Sequence, residues 1–349
     1  MKNVLLPLCL ACVAASASAQ SSVQLFGTVD VGVAYLTGTD VSKVGVSTGG
    51  ANISRIGFRG TEDLGGGLSA SFWLEAGMDV DSGAGKTGGA LSFNRRSTVS
   101  LAGSYGELRL GRDDAATFLN TLIFDPFLTN GVGGTMAFTM FGIPGTGTPP
   151  GGAPIQISNA ISYFLPRDLA GFYGQLQIAM GEQQETPTNK KDWGNYQGLR
   201  FGYAKGALNT AVGLGRLEGT IDAADLSAAN VGISYDFGMV KPMFLWSRET
   251  KNSNNITATQ IGFTAPIGVG QLRASYGYYN SSNSNADWTK VAVGYGYNLS
   301  KRTQIYGTVA FIDNKAGAQK SIGVQGLSAP GTSLGGTSTG IETGIRHFF

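Results

Sequence analysis

Residues 291–299 read Val-Ala-Val-Gly-Tyr-Gly-Tyr-Asn-Leu. Bulky apolar side chains occupy every second position, and Ala, Gly and Asn stand between them. Because successive side chains of a β-strand point to opposite faces, the alternation predicts a strand with one apolar face. Residues 304–311, Gln-Ile-Tyr-Gly-Thr-Val-Ala-Phe, alternate in the same way. Such strands are typical of a sheet that meets lipid on one face and water or packed side chains on the other.

Short turns and longer polar stretches alternate between these segments. Short turns are predicted at 63–67, 104–106, 167–171, 204–206, 236–238, 267–270 and 298–301. Longer loops are predicted at 38–51, 81–92, 114–156, 183–195, 218–227, 251–257, 281–287 and 314–338. These fifteen connections join sixteen strands, an even number that lets an antiparallel barrel close around an aqueous channel. The sequence therefore predicts an all-β protein, a 16-stranded antiparallel transmembrane β-barrel with short periplasmic turns and long external loops.

The 349-residue chain carries few charges for its size. Charged residues make up 14 %, hydrophobic residues 42 %, and 54 residues are glycine. A water-soluble surface normally needs more charge, whereas a lipid-facing barrel surface needs none. After residue 20, no stretch approaches 18 uninterrupted apolar residues, so the sequence does not predict a transmembrane helix.

Residues 1–19 have the pattern of a secretory signal peptide. Lys2 supplies the positive start, residues 4–15 are apolar, and residues 17–19, Ala-Ser-Ala, form a small-residue cleavage site. A first transmembrane helix is the alternative, but the apolar run is shorter than the roughly 20 residues that a helix needs to span a bilayer. We therefore expect a cleaved signal at 1–19 and a single barrel domain at 20–349.

The residue inventory excludes several kinds of chemistry. Both cysteines, Cys9 and Cys12, lie in the signal, so the mature chain has no disulfide and no thiolate site. The single histidine, His347, lies near the C-terminus, which disfavours a Ser-His-Asp hydrolase and rules out a histidine metal cluster. Once Lys2 is removed from the 25 basic residues, 24 face 23 acidic ones, so no nucleic-acid binding is indicated. We expect no enzyme activity, no cofactor and no metal.

Aromatic residues cluster near the predicted strand ends. Two interfacial girdles would explain them, and ordinary β-propensity is the alternative. The aromatic residues concerned are Tyr35, Trp73, Tyr105, Tyr163, Tyr173, Tyr203, Tyr235, Trp246, Tyr276, Tyr278, Tyr295, Tyr306, Phe348 and Phe349.

The stretch 114–156 differs from the other loops. It contains no convincing strand, and a loop of this length inside a compact fold is normally functional or disordered. Residues 115–123 could form a short helix that Asp125-Pro126-Phe127 ends, and residues 144–154 are rich in Gly and Pro. Folding into the lumen, where the loop would narrow the channel, is one interpretation. An exposed, disordered external loop is the other.

Several motifs along the chain resemble those of the trimeric general porins of Gram-negative β-proteobacteria, the neisserial and Burkholderia type. The most specific is residues 54–68, Ser-Arg-Ile-Gly-Phe-Arg-Gly-Thr-Glu-Asp-Leu-Gly-Gly-Gly-Leu. The other motifs are Gln24-Leu-Phe-Gly27, Asn94-Arg95, Leu110-Gly-Arg112, Asp125-Pro-Phe127 and the C-terminal Phe349. The resemblance covers nearly all of the mature chain.

This resemblance implies a homotrimer in the outer membrane, with 114–156 as a third loop folded into each pore. It implies contacts with outer-membrane lipid and lipopolysaccharide, and a channel for ions and small hydrophilic solutes. It also implies that the barrel-assembly machinery reads Phe349 as an assembly signal, although Phe349 could equally be a girdle aromatic. Arg112 shares a strand face with Leu108 and Leu110, which suggests a contact with a neighbouring subunit.

The resemblance further implies a constriction where basic wall residues face acidic loop residues. By position, Arg55 and Arg95 match the basic wall. Arg59 shares the face of Arg55. Alternation places Arg96, rather than Arg95, on the more polar face of its strand, so both stay candidates.

The acidic partners implied are Asp113, Asp114 and Asp125. Opposed charges across a narrow lumen bias which ions enter, and ordinary lumen-lining polarity is the alternative reading. Residues 155–159, Ile-Gln-Ile-Ser-Asn, carry no charge where family members often have a basic residue, so the preference between anions and cations stays open.

The leading functional hypothesis is a passive diffusion channel. A porin selective for one class of solute would need a distinctive binding ladder, and the sequence does not show one. A structural or adhesive barrel, plugged by 114–156, is the alternative from another class, and an outer-membrane enzyme ranks third because of the lone histidine.

Overall fold

The computed structural model describes residues 22–86, 89–138, 140–141, 152–182, 184–188, 190–282 and 284–349. The signal predicted at 1–19 lies outside the described residues, as does most of the Gly- and Pro-rich 144–154 stretch.

The described residues form eighteen β-segments, one α-helix and one short 3₁₀ turn, Asp222–Ala224. The helix is α1 (Ala116–Ile123). Among the described residues, no helix has the length and apolar character needed to cross a membrane. The segments are β1 (Ser22–Gly38), β2 (Val41–Thr48), β3 (Arg55–Gly65), β4 (Leu68–Asp79), β5 (Ala84–Gly85), β6 (Arg96–Gly103), β7 (Gly106–Asp114), β8 (Gln156–Phe164), β9 (Phe172–Ala179), β10 (Tyr196–Lys205), β11 (Leu208–Leu217), β12 (Leu226–Tyr235), β13 (Lys241–Lys251), β14 (Asn254–Ile267), β15 (Gly270–Ser281), β16 (Trp288–Asn298), β17 (Thr303–Asn314) and β18 (Thr337–Phe348).

These segments close into a 16-stranded antiparallel barrel, as predicted. β1 pairs with β18 from Thr28 opposite Phe348 to Leu36 opposite Gly340, so the sheet has no open edge. β2 and β3 both pair with β1 and together make one barrel strand. β5 is a two-residue segment that pairs with the end of β4, and its Gly85 also forms an isolated bridge with Gly89. Closure satisfies the backbone groups that lipid cannot hydrogen-bond.

The seven short turns all appear between the strands where the sequence predicted them. Two of the predicted long loops are shorter than expected. β1 and β2 continue to a tight turn at 39–40, and β13 and β14 meet in a tight hairpin at 252–253. Asp40 and Asn252 adopt positive φ angles of 57° and 47° there, a backbone conformation that Asp and Asn tolerate better than most residues. Because these stretches are rich in polar residues, the sequence did not predict that their strands pair.

Side-chain alternation follows the lipid and lumen faces. On β16, Val291, Val293 and Tyr297 are exposed on the outside, and Ala292 is buried on the inside. Some of the aromatics expected in girdles instead point inward. The Tyr306 hydroxyl donates to Asp30 inside the barrel, and the Tyr173 hydroxyl donates to Asn209. The girdle interpretation is therefore wrong for these two tyrosines, because strand parity and not proximity to a strand end decides the face.

Lys190 links two of the long connections. Its ammonium lies 2.8 Å from an oxygen of Asp225, 3.0 Å from Glu218 and 3.1 Å from Asp222. Burial alone would raise the pKa of Asp225, but hydrogen bonds from Lys190 and the Gly219 amide hold that pKa below its ordinary value. The connection before β10 is thus held to the connection before β12 by charge.

Candidate functional site: the charged lumen

The long connection between β7 and β8 folds into the barrel. α1 packs against β9, β10, β11 and β12. The Asn120 amide donates to Asn230 at 3.0 Å and its carbonyl accepts from Arg200 at 2.6 Å, both from inward-facing strand positions. The Phe124 ring fills a notch above Gly232, where a Cβ atom would lie 1.9 Å from the ring. Only glycine leaves room for the ring there.

Asp125 holds the next part of this connection in place. Its carboxylate accepts hydrogen bonds from the Thr129 amide at 2.8 Å, the Thr135 amide at 3.0 Å and the Gln260 side chain at 3.0 Å. Burial raises the pKa of the Asp125 carboxyl, although the two backbone hydrogen bonds act in the opposite direction. The Asp125 side chain is fully buried, and the constriction role that the resemblance implies for it stays a prediction.

Later residues of this connection are fixed to the opposite strands. The Val132 amide donates to Glu342 at 3.0 Å, and the Ser247 hydroxyl donates to the Ala137 carbonyl at 2.8 Å. Phe124, Phe127, Val132 and other apolar side chains form a core with inward-facing residues of β1, β11 and β13–β17. Residues 116–137 therefore cover one side of the lumen. On the other side, a cavity of about 980 Å³ is lined by residues of β3, β4 and β6–β11.

A first charged cluster lies on the wall opposite the loop core. Glu75 on β4 accepts from Arg95 at 2.6 Å and lies 3.6 Å from Arg55. The Trp73 indole N–H donates to the same carboxylate at 3.1 Å. Two guanidinium groups thus share one carboxylate, and this cluster carries a net positive charge.

A second cluster adjoins it on β6 and β7. Asp113 lies 2.5 Å from Arg109 and 3.6 Å from Arg96, and Arg109 also pairs with Glu107 at 2.7 Å. The Arg96 guanidinium lies over the Trp73 ring at 4.6 Å. Arg96 occupies the inward face of β6, and Arg95, just before the strand, also turns inward to Glu75. Both arginines left open by the sequence therefore reach the lumen.

Gly111 explains the Leu-Gly-Arg motif before the long connection. Its φ angle is 119°, and a Cβ atom there would lie 2.1 Å from the Ser97 carbonyl oxygen. The pairing of β7 with β8 shifts register between Gly111 and Asp113. A bulge at this point re-aims the following residues.

Three further arginines face the lumen from the remaining strands, and the sequence reasoning did not single them out. Arg200 on β10 lies over the Tyr173 ring at 4.6 Å, Arg273 on β15 bonds Gln271 at 3.1 Å, and Arg346 on β18 bonds Asn52 at 2.7 Å. No described carboxylate lies within ion-pairing distance of these three guanidinium groups. Strand parity could have found them, since each alternates with outward apolar residues.

The remaining predicted residues take these positions. Arg59 bonds Gln24 at 2.9 Å and lies between the Phe26 and Trp73 rings, nearer the short turns. Asp114 accepts from Gln156 at 2.9 Å. Asp113 and Asp114 thus lie on the same wall as the arginines and not across the lumen from them.

Two predicted residues lie away from the lumen charges. Arg112 points outward and donates to Ser158 at 2.6 Å. The Phe349 backbone pairs with that of Gly27 through hydrogen bonds of 3.1 and 3.2 Å.

Comparison with known proteins agrees with this architecture. Residues 8–317 match the family model described as Gram-negative porin. Outer membrane porin protein 32 of Delftia acidovorans is 37 % identical over the full length of both chains. The major outer membrane protein P.IB of Neisseria meningitidis is 26 % identical and covers 93 % of this chain and 98 % of its own.

A solved structure, the anion-selective porin from Comamonas acidovorans, superposes with a TM-score of 0.86 at 36 % identity. It covers 94 % of this chain, and all of its own length is matched. The lumen charges, the closed barrel and these relatives lead to one conclusion. The chain belongs to the Gram-negative porin family and forms an outer-membrane channel for the passive diffusion of ions and small hydrophilic solutes.

Proposed function

We propose that this channel passes anions in preference to cations. The observation that carries the proposal is the unequal exposure of the two charge types. The side chains of Arg55, Arg95 and Arg96 are 20–26 % exposed, whereas those of Glu75 and Asp113 are only 7–9 % exposed. A permeating ion therefore meets guanidinium groups before it meets carboxylates.

The acidic residues on the opposite side of the lumen also favour the passage of anions. Asp30, Asp125, Glu249 and Glu342 are buried under the inserted connection or among hydrogen-bond donors. Arg200, by contrast, has no carboxylate partner among the described residues and lines the 980 Å³ cavity together with Arg109. Clusters of exposed positive charge raise the local concentration of anions. The relative from Comamonas acidovorans is described as anion-selective, which agrees with the proposed anion preference.

We further propose that 114–156 forms the constriction, with Arg55, Arg59, Arg95 and Arg96 on its basic side and Asp113 and Asp114 as their local acidic partners. Three copies would assemble as a homotrimer, with Arg112 near the contact between subunits. Residues 1–19 would be removed on export. Lipopolysaccharide and lipid would surround the barrel, the barrel-assembly machinery would read Phe349, and the protein would have no enzymatic activity.

Reversal potential in a salt gradient across a planar bilayer tests the anion preference. An ion about 6 Å from a unit charge in water gains or loses about 0.7 kcal/mol, or roughly threefold in occupancy. We expect Arg200→Gln and Arg55→Gln each to lower the anion-to-cation permeability ratio by up to about threefold. Arg302→Gln, on an exposed short turn, is the matched control.

Unchanged ratios in both lumen variants, or a cation-favouring wild type, would exclude the proposed site. Cross-linking of the purified protein tests the trimer separately. Bands that stop at the monomer for correctly folded protein would exclude that assembly.

A further inference from the structure

We propose that the outer surface of β9–β13 binds a phosphorylated glycolipid of the outer leaflet, with its phosphate at Arg248 and an acyl chain in the adjoining groove. Arg248 points away from the lumen, at an even-numbered position of β13, where odd-numbered residues such as Ser247 and Glu249 are buried inside. Its guanidinium therefore cannot contact a permeating solute. It can contact only the membrane or another chain.

The cross-strand register shows what surrounds this guanidinium. Arg248 lies opposite Ala229, Ala229 opposite Leu214, Leu214 opposite Leu199, and Leu199 opposite Leu176. One row across five strands thus begins with apolar side chains and ends in an arginine. The three leucines of this row are 37–54 % exposed, as expected where lipid replaces water.

The next row, one outward position nearer the long loops, is mostly polar. It runs from Ile178 through Gln197, Arg216 and Ser227 to Thr250. The family places the long loops outside the cell, so the change from the leucine row to this row marks the outer boundary of the apolar band. Phosphate groups of outer-leaflet lipid lie at that depth.

Small side chains open a groove between the two arginines. Ser227 and Ala229 on β12 stand between the longer side chains of β11 and β13, and the resulting groove has a volume of about 530 Å³. Its floor and walls are largely apolar, and Arg216, Arg248 and Thr250 lie along it. This shape suits one acyl chain beneath a polar headgroup.

The charges also favour a phosphate ligand at Arg248. Arg216 is already paired with Glu218 at 2.7 Å and with Asp225 at 3.0 Å. Arg248 has neither an ion pair nor a hydrogen bond to any described residue, and neither row contains a carboxylate. A guanidinium binds phosphate through charge-assisted, bidentate hydrogen bonds, and an unpaired one in an apolar band gains most from such a ligand.

Equilibrium binding to the refolded, lipid-free protein in detergent tests this site. The probe is lipid A, the phosphorylated glycolipid of the outer leaflet, compared with the same lipid after removal of its phosphates. We expect Arg248→Gln to weaken binding of phosphorylated lipid A by about tenfold. Dephosphorylated lipid should bind the wild type and Arg248→Gln equally. Ala229→Phe, which fills the groove without changing charge, should weaken binding of both lipids.

Arg302→Gln, at the opposite end of the barrel, is the control and should bind as the wild type does. Single-channel conductance of each variant shows that the barrel is folded, and a failure of the anion preference would leave this lipid test unaffected. Wild-type affinity in Arg248→Gln would overturn the proposal. So would an equal loss for the two lipids in Arg248→Gln, or equally strong Arg248-dependent binding of phosphatidylglycerol or inorganic phosphate.

Discussion

Asp125 offers the sharpest test of how the inserted connection is held. In Asp125→Ala, the Thr129 and Thr135 amides and the Gln260 side chain each lose their acceptor. Thr135 and Gln260 are buried, so water cannot readily replace the carboxylate at those two donors. A buried donor without a partner costs about 1–2 kcal/mol, so the attached state of the connection should lose about 3 kcal/mol in all.

That loss shifts the balance between attached and detached loop by roughly 150-fold. Asp125→Asn is the matched control, because its amide oxygen can accept both backbone hydrogen bonds and the Gln260 amide can rotate to offer its oxygen. Burial already raises the pKa of Asp125, so a neutral isostere should be tolerated. We therefore expect a much smaller change for Asp125→Asn.

Single-channel recording in planar bilayers is the assay. Asp125→Ala should show added current noise and new conductance levels, because the loop samples several positions in the lumen, whereas Asp125→Asn should resemble the wild type. Limited proteolysis of residues 125–138 gives a second readout. If Asp125→Ala has wild-type noise, conductance and protease resistance, the carboxylate does not fasten the connection and the reasoning is refuted.

Three further expectations concern other parts of the lumen and loops. Glu75→Gln removes the carboxylate shared by two arginines and should raise the anion-to-cation permeability ratio by up to about threefold in reversal-potential measurements; a fall would contradict the charge assignment. Gly232→Ala forces a methyl group against the Phe124 ring and should cost about 1–3 kcal/mol of loop packing, seen as altered single-channel conductance. Gly307→Ala, where the nearest atom to the added methyl group lies 4.0 Å away, should leave the conductance unchanged. Asp225 has a lowered pKa, so its stabilisation of the link between the two connections is present above the ordinary value of 3.8 and is lost as pH falls below it. Hydrogen exchange in residues 190–195, corrected for intrinsic rate, should therefore be faster at pH 3 than at pH 6, and equal protection at both pH values would refute the link.

Much of the barrel could be predicted because lipid imposes a local rule. Every spanning strand must present apolar side chains outward at every second position, so residues 291–299 show their two faces without any partner. The short turns needed only local Gly, Asp and Asn signals. The β1–β2 and β13–β14 hairpins looked like loops because glycine and polar residues dominate the stretches 38–51 and 251–257.

The candidate site was only partly predictable. Parity placed Arg55, Arg59 and Arg96 on inward faces, but it could not show that Glu75 lies between Arg55 and Arg95, or that Asp113 pairs on its own wall. The hydrogen bonds that hold Asp125 could not be predicted for a similar reason. A loop has no regular alternation of faces, so the sequence could not show where this carboxylate points. Its three hydrogen-bond donors are two loop amides and a side chain on β14.

Local sequence patterns were enough to predict the strand faces, the strand number and the apolar outer surface, since each depends on neighbours one or two residues apart. The folded barrel alone sets which side of the lumen the inserted connection covers and which charges stay exposed. Those outcomes depend on contacts such as Asn120 with Asn230 and Val132 with Glu342, between residues more than a hundred positions apart in the chain. The register and closure of the whole barrel bring such residues together, and no local pattern records them.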